Sequence, residues 1–518
     1  MPGIINRQLK GLVYAPVNCF QYLCPDMVKN VLLFLFFFAC QITVKANFVY
    51  DANCIAAYKA ILSLRMPEAK LLLRKEKQLN PQNGITILLE NYIDYFSLLA
   101  SENRDEYEKL IDNKSARVSA LEDNDKNAPF YLFSQAEVYL QWAFIKARFG
   151  DYLSSGFDAK KANSLLKENQ KKFPDFLPNQ KSLALVNVIF GSIPASFRGI
   201  GRILGMSGNV QAGINQLEKL KTELPQSKFN FYNDEVVFFI CTISIDALRN
   251  YQAYPQLVTY LSTIDNSSLL KSFLLGNIAL KTAHNDDAIL YLQASPRSAE
   301  YLSMPVMDYL LGNAKLNRMD SGAAVYLERY VTEFKGTIYV KDSYLKLAHF
   351  YLIQNNTAKY NYYIGLVKDK GNTADEKDKQ ALKEANDVKP DIGLLKARLY
   401  FDGGYYDKAL AQLINKQVNN LTQLKDKIEY YYRLGRIYDK TGKTNDALLN
   451  YRRAINLGKR SSYYFAANAA LSMGRIYEEK HDFEKAAECY NETIDMRGHE
   501  YQNSIDDNAK AGLKRVGG

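Results

Sequence analysis

Arginines at 398, 436 and 475 stand 38 and 39 residues apart, and the same register carried upstream meets His349, Asn313 and Asn277. A polar column ending in three guanidinium groups has a definite chemistry. Each planar fork can take both oxygens of a carboxylate, so stacked arginines facing one groove would grip an acidic peptide or a C-terminal carboxylate. The competing use is internal, each arginine pairing with an acid near it such as Asp439, Glu478 or Glu429, and such pairs contribute little.

Little else in the chain suggests a reaction. His284, His349, His481 and His499 are dispersed, with no His-x-x-x-His and no cysteine pair at metal-ligand spacing. No serine lies in a Gly-x-Ser-x-Gly elbow. The glycines of 199–213 invite a phosphate-loop reading, but no strand precedes them and no Gly-Lys-Ser/Thr closes them; close helix packing is the expected reason for their small size. The apolar stretch 188–206, with Arg198 and Arg202, is expected to be a buried helical hairpin rather than a membrane-surface segment. No enzyme activity, cofactor or metal site is expected.

The elements that must carry the arginine column are helical hairpins. In YYYRLGRIYDKTGKTNDALLNYRRAI (430–455), Gly435 and Ala447 are small residues that let two helices approach, and Tyr451 fills the gap between them. ALSMGRIYEEKHDFEKAAECYNETI (470–494) repeats this with Gly474, Ala486 and Tyr490. Weaker copies place Ala397 with Ala409, Gly312 with Ala324 and Gly276 with Ala288; Ala348 and Tyr351 mark a degenerate unit. At the other end, Ala57, Ala69 and Pro81 fit one more. This is the pattern of the tetratricopeptide repeat, about 34 residues per unit. Each hairpin leaves an apolar face that only a neighbour can bury. The predicted fold is therefore all-α, a superhelical solenoid of antiparallel helix pairs. The 38 tyrosines against one tryptophan suit it, since the ring packs at hairpin contacts while the hydroxyl stays wet.

The predicted organisation is N-terminal tetratricopeptide-like helices over 47–130, an irregular helical region with a Gly-rich hairpin over 131–268, and degenerate repeats over 269–367. A charged insertion, loop or solvated helix extension, follows over 368–391, and C-terminal repeats fill 392–518. Ahead of all these, Met27 opens a short basic start, an apolar run VLLFLFFFA and a small-residue exit at Val44-Lys45-Ala46. That is the layout of a secretory signal peptide over 27–46, and it makes 1–26 an upstream extension from a misassigned start. The alternative processing would lipidate Cys40. No other run approaches membrane-spanning length. Residues 1–46 hold four of the 66 basic and one of the 56 acidic residues, so their removal lowers the net charge from +10 to +7. There is no long Lys/Arg block, and nucleic-acid binding is not indicated. Cys54, Cys241 and Cys489 remain, far apart in apolar patterns, and are expected to be buried small hydrophobes.

The middle of the chain carries a resemblance. An Ile-Pro pair at 193–194, an apolar helix, Leu204-Gly205-Met206-Ser207-Gly208-Asn209, then Gly213-Ile214 and Leu217 resemble the tetratricopeptide repeat domain 39 family, which includes the fungal inclusion-body-clearance proteins. In that family the turn looks like Gly-Phe-Ser-Gly-Asp; here Met206 stands for the Phe and Asn209 for the Asp. The resemblance implies a repeat-based adaptor without known catalysis. Those proteins are largely intracellular, so the signal peptide points instead to a relative exported to the periplasm or envelope of a Gram-negative bacterium. Two functions stand: an adaptor holding a partner protein or acidic peptide in the groove, and an envelope binding protein for a nutrient or polysaccharide that partners an outer-membrane transporter. Trp142, alone in an apolar helix, counts against a carbohydrate platform.

Overall fold

The computed structural model describes residues 47–193, 201 and 205–517. The signal peptide, the upstream extension and Cys40 fall outside the described residues, as does most of the Ile-Pro motif. Among the described residues the fold is all-α, with a single isolated β-bridge, Asn47 to Asn83. No described helix is long and apolar enough to cross a membrane.

The described residues form an all-α solenoid of antiparallel helix pairs. It begins with the hairpin α1 (Ala52–Leu62) and α2 (Met66–Leu79), followed by α3 (Gly84–Ser101), α4 (Arg104–Leu110) and α5 (Asn113–Glu122). Two longer hairpins come next: α6 (Pro129–Arg148) with α7 (Tyr152–Lys172), and α8 (Leu177–Gly191) with α9 (Val210–Glu223). Then α10 (Asn233–Thr242) runs into a π-helical turn, Ile243–Ala247, before α11 (Tyr254–Ser262). The later pairs are α12 (Leu269–Lys281) with α13 (Asn285–Gln293), α14 (Val306–Asn317) with α15 (Ala323–Glu333), and α16 (Val340–Ile353) with α17 (Thr357–Asp369). After an extra helix, α18 (Glu376–Ala385), come α19 (Ile392–Asp402) with α20 (Tyr406–Ala411), α21 (Leu424–Lys440) with α22 (Thr444–Gly458), and α23 (Phe465–Glu479) with α24 (Phe483–Asp495). The last helix, α25 (Gln502–Arg515), packs on α24.

The hairpins close as the small-residue spacing requires. A Cβ on Gly435 would stand 2.5 Å from the Tyr451 ring, and one on Gly474 2.5 Å from that of Tyr490. Only glycine lets the two helices meet there. At Gly312 the facing side chain is Leu327. The glycines after α8 also serve close packing: a Cβ on Gly208 would lie 2.3 Å from the carbonyl of Asn187.

The N-terminal half is pinned by a buried polar network. Lys181 Nζ lies 3.0 Å from Glu137 and 2.7 Å from Glu235. Tyr58 donates to Glu235 at 2.6 Å, Tyr92 to Glu137 at 2.6 Å, and Ser182 to Glu137. Five helices, α1, α3, α6, α8 and α10, thereby share one set of charges. All these groups are buried, so each must find its partner inside the protein.

Candidate functional site

The residues of the predicted column do not share one groove. Asn313 on α14 is buried, and Asn277 on α12 opens to a different cavity. His349 on α16 is also buried, its Nε2 3.1 Å from Glu384 Oε1. Burial holds its pKa below the ordinary histidine value, with Glu384 pulling the other way. Arg398 on α19 is held by the same carboxylate, its two terminal nitrogens 2.8 and 3.1 Å from the two oxygens of Glu384. Burial opposes the charge of Glu384, but Arg398 and His349 outweigh it and keep the carboxyl well below its usual range. Arg436 stacks its guanidinium 4.0 Å from the centre of the Phe401 ring. Arg475 alone of the six is exposed, and it makes no ion pair or hydrogen bond among the described residues.

Arg398 and Arg475 do line one cleft, of about 1150 Å³, among the C-terminal repeats. Its walls come from α18, α19, α21, α23 and the start of α25. Most of its charges are already spent. Arg433 grips Glu429, both buried; Lys425 pairs with Asp387 at 2.5 Å; Lys383 reaches Glu500 at 3.1 Å, bridging α18 to the segment before α25. Two cations are not: Arg475 and Arg249, both exposed, line the cleft without an ion pair among the described residues. What the cleft can do chemically is take an anion, and its size is that of an extended peptide segment rather than a bare ion.

Sequence reasoning missed Arg249 and the part played by α18. Arg249 follows the π-helical turn at a left-handed φ of 53°, outside any repeat register. The segment 368–391 was expected as a loop or a solvated extension; the structure differs. Asp375 caps α18 by accepting the Lys377 N–H at 2.8 Å, and Asp378, Ala381 and Ala385 form a buried face that packs on α16. Those three positions share a face at i, i+3 and i+7, a signal obscured by the surrounding charge.

Cys54, Cys241 and Cys489 are free and buried. Burial pushes the thiol of Cys241 up to about 12 and that of Cys489 to about 11, so neither is a ready thiolate. Among the described residues one cluster, Asp51, Cys54 and Glu76, gathers three potential metal-ligand atoms within 4.8 Å. Its acids are otherwise engaged: Asp51 caps α1 through the Cys54 N–H at 2.8 Å, and Glu76 accepts from Asn53, Asn80 and Asn83.

The family model of the tetratricopeptide repeat matches residues 428–457, the α21–α22 hairpin. No curated protein matches the chain. Among solved structures, the TPR domain of P58(IPK) aligns at 13% identity over 83% of this chain and 98% of that one, with a TM-score of 0.21. The APC/C hetero-tetramer Cut9-Hcn1 aligns at 12% identity over 89% of this chain and 95% of that one, with a TM-score of 0.21. The repeat suggests a protein–protein interaction scaffold.

Proposed function

We propose that this chain is a non-catalytic adaptor that holds the acidic or C-terminal segment of a partner protein in the cleft between α18, α21, α23 and α25. The observation that carries the reading is the pair of exposed, unpaired arginines, Arg249 and Arg475, in a cleft whose other cations are mostly paired. A carboxylate arriving there meets donors that need not first give up an internal acid. The resemblance of the middle segment to tetratricopeptide repeat domain 39 proteins supports an adaptor role. The signal-peptide layout of 27–46 supports export to the periplasm or envelope of a Gram-negative bacterium. Fractionation with N-terminal sequencing tests the export: the mature chain should begin at Asn47, or at a lipidated Cys40.

The test of the cleft is charge reversal. R249E with R475E should abolish binding of acidic peptides with a free C-terminus, measured by fluorescence anisotropy, while the circular dichroism spectrum stays that of the parent. Undiminished binding by the double variant sinks the proposal. R436E is a different experiment: that arginine stacks on Phe401, so its reversal should lower stability rather than address the cleft.

A further inference from the structure

A second cleft, about 610 Å³, lies between α3, α6, α12, α14 and the start of α18. It adjoins a third cavity of about 470 Å³, and Phe96, Phe144, Leu270 and Phe273 line both. These four side chains are only partly buried. They border space instead of filling one another's gaps, which a close-packed interior does not leave without reason. Apolar side chains left bordering a cleft offer an apolar ligand surface to bury. The volumes fall in the roughly 300–1,000 Å³ range of small-molecule sites.

The charges around the cleft identify what else the occupant carries. Lys281 pairs with Asp246, and Arg148 with Glu102. Asp375 serves as the cap of α18. Lys377 is different. Its Nζ donates to the Tyr309 hydroxyl at 3.1 Å, and that hydroxyl donates in turn to Asp342 at 2.7 Å. It lies 5.3 and 4.9 Å from the centres of the Tyr309 and Tyr339 rings and makes no ion pair among the described residues. Asp342 and Asp375 act on its charge from nearby, but neither pairs with it directly, so this partly buried ammonium in the cleft wall is the cation open to an incoming anion.

We infer that this cavity binds a single-chain amphiphile with a carboxylate head, a long-chain fatty-acid anion, its chain among Phe96, Phe144, Leu270 and Phe273 and its carboxylate on Lys377. One unpaired cation matches a monoanion. One linear chain suits two adjoining cavities that share a wall of four apolar side chains. The site is independent of the peptide cleft: α18 stands between them, presenting Lys377 to one and Lys383 and Glu384 to the other.

The experiment is calorimetric titration of the full chain with dodecanoate, tetradecanoate and hexadecanoate, each below its micellar concentration. Saturable one-to-one binding is expected, tightening about fourfold per methylene until the cavity is full. K377M should weaken hexadecanoate about 10- to 100-fold and leave hexadecanol unchanged, since a charge-assisted hydrogen bond is lost without loss of apolar contact. A147F, placing a ring in the cleft, should weaken both ligands; K377M keeps the test decisive if that variant does not fold. The inference is overturned by no saturable binding, by equal affinity of the parent for acid and alcohol, or by K377M binding hexadecanoate as tightly as the parent. Capture only on phosphatidylglycerol vesicles, with no binding of monomeric acid, overturns it too.

Discussion

Asp378 fastens the extra helix α18 to the solenoid, and its ionisation gives a measurable pH dependence. The carboxylate is fully buried and accepts the N–H groups of Tyr339 at 2.7 Å and Asp342 at 3.0 Å, capping the start of α16. Tyr339 sits there at a left-handed φ of 55°, a strained conformation for a tyrosine. Burial pushes the Asp378 carboxyl from 3.8 up to about 6; the two N–H bonds pull it down without cancelling that, and Asp342 and Asp375 add to the rise. The folded pKa therefore lies above the unfolded one. The associated stabilisation is fully present below pH 3.8 and is lost as the pH rises through about 6. Integrated from pH 7 to pH 5, these two values give a gain of about 1 kcal/mol on acidification. Asp378→Asn has no proton to exchange. Other titrating groups, His349 and Glu384 among them, are common to both proteins and cancel in the difference. Urea unfolding followed by circular dichroism should show the parent's advantage over Asp378→Asn larger at pH 5 than at pH 7 by about 1 kcal/mol, at unchanged m-value. An advantage equal at the two pH values within about 0.3 kcal/mol, or larger at pH 7, refutes the reasoning.

Gly474→Val should lower stability by about 1–3 kcal/mol or more, because its Cβ would meet the fully buried Tyr490 ring at 2.5 Å; a urea midpoint within error of the parent would show the α23–α24 hairpin to be looser than described. Lys181→Met should cost about 3–5 kcal/mol, since Glu137 and Glu235 would be left buried without their shared cation. The same midpoint measurement checks this, and a loss below about 1 kcal/mol would mean that the carboxyls take up protons instead.

The legible features were local ones. Gly435 meets Tyr451 and Gly474 meets Tyr490 within a single hairpin, so their spacing in the chain nearly dictates their contact in space. The same holds for the burial of the three cysteines, each set in an apolar helical pattern. The arginine column was legible as a register but not as a site. Arg398 is spent on Glu384 across the insertion, Arg436 on a ring of the preceding hairpin, and only Arg475 faces the cleft unpaired.

From its own residue types and spacing, this sequence determined that the chain would pair helices, close them at small residues and stack the pairs. It could not determine what the stack encloses. The tertiary arrangement brings Arg249, from outside the repeat register, to the cleft of Arg475. The same tertiary arrangement seats the charged helix α18 between an apolar cavity and a polar one, buries Asp378 against α16 and leaves Lys377 facing unfilled apolar space. Those placements depend on contacts between distant hairpins, where burial rather than local propensity sets the energy of each charge.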